Sequence, residues 1–165
     1  MSAVAVGWGG GLIAGCISPI EKYYMRPLYD VQTKTVETVS GKTETKELTI
    51  YKTSWGGRGI TMITAGKGEE KAICFLYSVG DSQWTFANTL DLNINGKVTT
   101  LKADEKTSIR QVLAAQRLNE AYYFFVPINL LKEFRNIQTL KFGIEGKIIT
   151  IDEVGISKIR EFLAD

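Results

Sequence analysis

The chain has 165 residues and contains no histidine at all. Without imidazole there is no Ser-His-Asp or Cys-His pair, no His-ligated zinc or haem, and no general base already poised near neutral pH. Its two cysteines, Cys16 and Cys74, are too few for a Cys₄ metal site or a disulfide framework. An excess of one charge sign is also missing: 20 Lys plus Arg stand against 18 Asp plus Glu, and so even a balance gives no reason to expect a nucleic-acid face. No residue set suggests a metal or cofactor, and the reading is of a protein that is not an enzyme.

What is present describes a folded domain. Apolar residues make up 44% and charged residues 23%, ordinary values for a globular chain. A chain of this length buries about two-thirds of its unfolded surface, enough for a core without metal or disulfide. Charge is placed unevenly, however. Apart from Cys16, no side chain in residues 1–20 is ionisable; every Lys, Arg, Asp and Glu falls from Glu21 onward.

Within that uncharged stretch, Leu12-Ile13-Ala14-Gly15-Cys16 resembles the lipobox of bacterial lipoproteins. The resemblance implies export, cleavage before Cys16 and lipid on its sulfur. It places the protein in the periplasm or at the outer membrane, anchored to the membrane through that lipid. On this reading residues 1–15 are an export signal, 16–30 a tether and 31–165 a single β domain. The competing reading keeps residues 1–20 as an interaction arm of a cytoplasmic or particle-associated structural subunit. Gly9-Gly10-Gly11-Leu12-Ile13-Ala14 also fits G-x-G-x-x-A after an apolar run. A dinucleotide-binding turn needs a helix next and then a parallel strand, and Pro19 and Pro27 oppose both.

From Val31 the pattern alternates with period two, rich in Thr, Val and Ile, as half-buried strands require. Hairpins are expected around Ser40-Gly41-Lys42, Ala65-Gly66-Lys67-Gly68 and Asn95-Gly96, the last being the strongest of these turn signals. Trp84 to Ala87 reads as a further strand. Leu92 to Leu101 aligns without gaps on Phe142 to Ile151, sharing Ile, Gly, Lys and Thr, so both segments are expected to be hairpins. Pro127 to Phe134 and Ile156 to Leu163 have helical spacing, and Thr107 to Leu118 reads either as a third helix or as an irregular strand. Together these predict a mainly β fold, an antiparallel β-sandwich or open barrel with two short helices. The layout resembles small secreted bacterial β-sandwich proteins of unassigned role.

Chemistry-bearing candidates are few. Gly41-Lys42-Thr43 lacks the earlier glycine of a phosphate loop, and the acidic pairs Glu69-Glu70, Asp104-Glu105 and Asp152-Glu153 sit in expected turns. Trp55 and Arg58, in a glycine-rich loop, and Glu120, before an aromatic strand, are the candidate ligand-binding residues. For Glu120 a strand-edge ion pair with Arg110 or Arg117 is the plainer role, and a carboxylate-dependent hydrolase using it is the enzymatic alternative. Cys74, within an apolar run, reads as an inert buried side chain. The expected partner is an envelope protein or glycan.

Overall fold

The computed structural model describes residues 26–39, 41–53, 57–66 and 71–164. Cys16, the lipobox-like segment and Trp55 lie outside the described residues. Ten strands and two helices follow in order: β1 Arg26–Thr38, β2 Gly41–Lys52, β3 Arg58–Ala65, β4 Ala72–Asp81, β5 Thr89–Ile94, β6 Lys97–Lys102, β7 Ile109–Val112, β8 Leu118–Phe125, α1 Ile128–Arg135, β9 Leu140–Ile144, β10 Lys147–Thr150 and α2 Glu153–Ala164. They form two antiparallel sheets, one ordered β1-β2-β3-β4-β8-β7 and the other β10-β9-β5-β6. Neither closes into a barrel, and the architecture is the expected sandwich with two short helices. β1 begins at Arg26, inside the stretch read as tether.

Alternation sets the inner faces. Met62 on β3, Phe75 and Tyr77 on β4, and Tyr122 and Phe124 on β8 are buried and meet Leu90, Leu92 and Ile94 of β5 and Leu140, Phe142 and Ile144 of β9 in one core. Phe75 joins the layers, its ring 5.2 Å from Phe142 edge-on and 5.7 Å from Phe134 of α1. On β2 a register shift between Thr49 and Tyr51 lets Leu48, Ile50 and Tyr51 all be buried, the extra residue of a bulge breaking the strict alternation.

Both helices are positioned by side chains. Asp152 caps α2, accepting from the Gly155 amide at 2.8 Å and from the Tyr29 hydroxyl at 3.0 Å. At its other end the Lys71 ammonium donates to the Leu163 carbonyl at 3.1 Å, as suits the negative pole of a helix. Leu130 and Phe134 of α1 and Ile156, Ile159 and Phe162 of α2 face the core. Among the described residues no helix is long and apolar enough to cross a membrane.

One sequence expectation needs correcting, and one open reading is decided in favour of its strand alternative. Residues 84–87 are not a strand; they run as irregular chain held by side-chain contacts described below. The stretch 107–118 is not a helix: residues 109–112 pair with β8 as β7, and a short 3₁₀ turn at Ala114–Gln116 leads back. Its spacing suits either state, and the open edge of β8 decides for strand.

Candidate functional site

The aligned segments Leu92–Leu101 and Phe142–Ile151 become the hairpins β5–β6 and β9–β10, placed side by side. β5 pairs with β9 so that Leu92 faces Phe142, the two being equivalent in the alignment. The sheet therefore has a local twofold axis at that pair. Its two turns carry Asn95-Gly96 and Glu145-Gly146, all four residues with positive φ, as a type I′ turn demands. Asn95 accepts from the Gln138 and Thr139 amides at 2.7 and 3.1 Å. Glu145 instead reaches across to the other sheet.

There it meets Arg58. Arg58 Nε and Nη2 donate to Glu145 Oε2 and Oε1 at 2.9 and 3.1 Å, Nη1 donates to Asp81 at 3.2 Å, and the Tyr77 hydroxyl donates to Glu145. Forked pairing of this kind fixes orientation as well as adding energy. Burial pushes the Glu145 carboxyl up, but the bonds from Arg58 and Tyr77 and the Arg58 charge outweigh it and leave it below its usual value. The Tyr77 hydroxyl is pushed up, first by burial and then by its bond to Glu145. Arg58 N donates to the Thr53 hydroxyl at 3.0 Å.

A second cluster lies on the same face of the six-stranded sheet. Register places Arg58 opposite Val79, Val79 opposite Glu120 and Glu120 opposite Arg110, while Tyr77 faces Tyr122. The two candidates Arg58 and Glu120 are thus in one row, two strands or about 10 Å apart by ordinary strand spacing. Glu120 has no solvent exposure. Its carboxylate accepts from the amides of Thr85 at 3.0 Å and Phe86 at 3.1 Å, from the Thr85 hydroxyl at 3.0 Å and from the Tyr122 hydroxyl. Both oxygens of Glu120 are therefore answered by donors, as a group removed from water requires.

Glu120 consequently does not form the strand-edge ion pair expected from the sequence. β8 is covered by β7, and Arg110 Nε donates to the Tyr122 hydroxyl at 3.1 Å. The Arg110 guanidinium lies between two rings, 5.2 Å from the centroid of Phe86 and 5.3 Å from that of Tyr122, a cation–π geometry on both sides. Burial and the Glu120 bond push the Tyr122 hydroxyl up against the opposing influence of Arg110.

The outcome of this bonding is a presented aromatic. Phe86 has φ +49° and its side chain is 57% exposed. A bulky residue in left-handed backbone is an outlier that the surroundings must enforce, and here the enforcement comes from Glu120. Trp84, half-buried, stands 6.3 Å from the Phe86 ring. The surface group is Trp84, Phe86 and Arg110; Glu120 and Tyr122 support it from beneath. Sequence reading missed Phe86 because Trp84-x-Phe86 imitates strand alternation.

The two acids are committed to separate partners, Glu145 to Arg58 and Tyr77, Glu120 to Thr85, Phe86 and Tyr122. Cys74, on the outer face of β4, is buried, and burial pushes its thiol up to about 12 despite an opposing backbone bond. Among the described residues no group of three His, Cys, Asp or Glu is placed to hold a metal ion. A shallow depression lies between Lys71, Ile73, Leu131, Arg135 and Leu163. In comparisons with known proteins, no family model, no curated protein and no solved structure matches the chain.

Proposed function

We propose that this chain is a non-catalytic binding protein of the bacterial envelope, held at a periplasmic or outer-membrane surface through lipid on Cys16. It contacts another envelope component, protein or glycan, through the corner formed by Trp84, Phe86 and Arg110. One observation carries the contact surface. A buried carboxylate with four donors holds Phe86 in left-handed backbone and points it at solvent, a conformation that costs about 1–3 kcal/mol. Beyond its contacts with Arg110 and Trp84 the Phe86 ring stays largely exposed, which supports a binding surface on a loop. The anchor rests on the lipobox-like Leu12 to Cys16.

Two measurements test the proposal. Cells expressing the chain are grown with a clickable fatty acid: incorporation that disappears in Cys16→Ala supports the anchor, and absence from the wild type overturns it. Intact mass then decides the form of the N-terminus, since retention of residues 2–15 replaces lipid attachment with an N-terminal arm. For the surface, a photo-crosslinking amino acid is placed at position 86 and, as a control, at exposed Val98 on β6. Discrete adducts from position 86 alone are expected; equal adducts from both positions, or none, sink the contact surface.

A further inference from the structure

The two sheets present different outer faces. An antiparallel sheet with one face in the core ordinarily carries polar and charged side chains on the other. The four-stranded sheet does so, with Asp91 on β5, Lys102 on β6 and Lys141 on β9 alternating with buried residues. The six-stranded sheet departs from this. Among the described residues, no outward position of β3, β4, β8 or β7 holds a Lys, Arg, Asp or Glu. Phe125 is 52% and Ile109 46% exposed there, and Ile63, Leu76 and Tyr123 are half-buried. Both helices pack into the core on the other side of this sheet and leave the face uncovered. A contiguous apolar face of this kind marks an interaction surface.

Register arranges the face in rows. One row runs Glu47, Ile63, Cys74 and Phe125 across β2, β3, β4 and β8; the next runs Thr49, Thr61, Leu76 and Tyr123; the third runs Lys52, Gly59, Ser78 and Ala121. The register shift in β2 is what brings Lys52 opposite Gly59. The larger side chains therefore stand on one side of the middle row and the small ones on the other. The charges in these rows are one acid and one base, Glu47 and Lys52, on opposite sides of that same line.

We infer that a second copy of this chain packs on this face, related by a twofold axis along the row of Thr61, Leu76 and Tyr123. The operation lays the first row of each copy over the third row of the other. Ile63 then lies over Gly59, Cys74 over Ser78 and Phe125 over Ala121, a larger side chain over a smaller one each time. Glu47 of each copy meets Lys52 of the other. Glu47 already receives Lys34 through Oε2 at 3.2 Å, and its Oε1 is the atom left for that contact. The complement a partner must offer is thus built into the face itself, which is what a twofold contact requires. Asp30 continues the middle row onto β1, where the twist of the sheet carries the edge strand away from a stacked neighbour.

Size points the same way. Five strands wide and seven residues long, the face measures about 24 by 20 Å at ordinary strand spacing. Two copies stacked on it bury about 1,000 Å², the lower bound of a specific interface and the range of a reversible dimer. The pairing goes beyond the proposed contact surface and does not depend on it. Arg110 lies on the opposite face of β7, so the corner of Trp84, Phe86 and Arg110 stays open in the dimer.

Sedimentation equilibrium of the full chain tests the pairing, with a monomer–dimer equilibrium expected at micromolar concentrations. Leu76→Lys sets two ammonium groups against each other on the axis and should weaken the dimer at least about tenfold. Glu47→Lys and Lys52→Glu each place like charges together and should weaken it by about fivefold. The double variant Glu47→Lys with Lys52→Glu restores the opposite pairing and should return the wild-type equilibrium. Val98→Glu, on the outer face of the other sheet, should change nothing. Circular dichroism and urea midpoints establish that each variant is folded, and the charge variants carry the test where Leu76→Lys is not. A wild type that stays monomeric at millimolar concentration overturns the inference. So does a dimer that resists Leu76→Lys and both single reversals, or one that Val98→Glu dissolves. A double variant no tighter than the single ones overturns the twofold arrangement.

Discussion

Leu92 and Phe142 face one another at the centre of the four-stranded sheet and occupy equivalent positions in its two hairpins. The same local symmetry makes Asn95 and Glu145 counterparts, each first in its turn, yet only asparagine suits positive φ. Glu145 holds φ +51° because its carboxylate is needed by Arg58 and Tyr77.

Substituting Glu145→Asn should therefore have opposite effects in two backgrounds. In the wild type it relieves the turn but strips Arg58 and Tyr77 of their acceptor, for a net loss of about 2 kcal/mol, since breaking a partly buried pair outweighs a single turn preference. In a chain already carrying Arg58→Met and Tyr77→Phe only the turn effect remains, and a gain of about 0.5–1 kcal/mol is expected. Urea unfolding of the four chains measures both. A loss of the same size in each background would refute the role given to Arg58 and Tyr77.

Acid should weaken the fold through the same pair. The Glu145 carboxyl lies below its ordinary value of 4.5 in the folded chain, so between the two values the unfolded chain binds a proton that the folded chain does not. Stability is thus fully present above about pH 4.5 and falls as pH drops through the folded value. Asp81 adds in the same direction, lowered chiefly by the Ser82 amide and further by Arg58. Urea midpoints measured between pH 7 and 3 should fall less steeply for Glu145→Gln than for the wild type.

Removing the Glu120 carboxylate should release Phe86. Glu120→Ala leaves the Thr85 and Phe86 amides and the Tyr122 hydroxyl without their acceptor in a site with no solvent exposure, and a loss of about 3 kcal/mol is expected. Glu120→Gln keeps one acceptor oxygen and should cost less. A tryptophan substituted at position 86 reports the release by fluorescence anisotropy decay: its ring should be slow in the wild-type background and faster with Glu120→Ala.

Local chemistry made much of this legible. Asn95-Gly96 and Gly41 mark turns whatever surrounds them, and Asp152 ahead of Ile156 and Ile159 marks the start of α2. Long-range pairing was not legible. β4 and β8 are neighbours although β5, β6 and β7 intervene in the chain, and only that pairing sets Glu120 opposite Val79 and Tyr122 opposite Tyr77. Trp84 to Ala87 alternates like a strand, but its Thr85 and Phe86 amides go to the Glu120 carboxylate, a competitor invisible to periodicity. The Glu145 clamp needed both the hairpin and the packing of one sheet on the other.

Gly155 offers a test of how β1 is tied to α2. It sits in the first turn of α2, where alanine would ordinarily favour the helix by about 1 kcal/mol. A Cβ there would overlap the Tyr29 hydroxyl and come within 2.5 Å of Ile151 Cγ2. Gly155→Ala should therefore destabilise by about 1–3 kcal/mol, as overpacking does, by displacing Tyr29 from its bond to Asp152. Tyr29→Ala removes one of the two obstacles, so in that background the alanine should cost less while Ile151 still resists it. A double-mutant cycle by urea unfolding is expected to give a coupling of about 1 kcal/mol between positions 29 and 155. Strict additivity would mean that Tyr29 does not pack on α2 in solution.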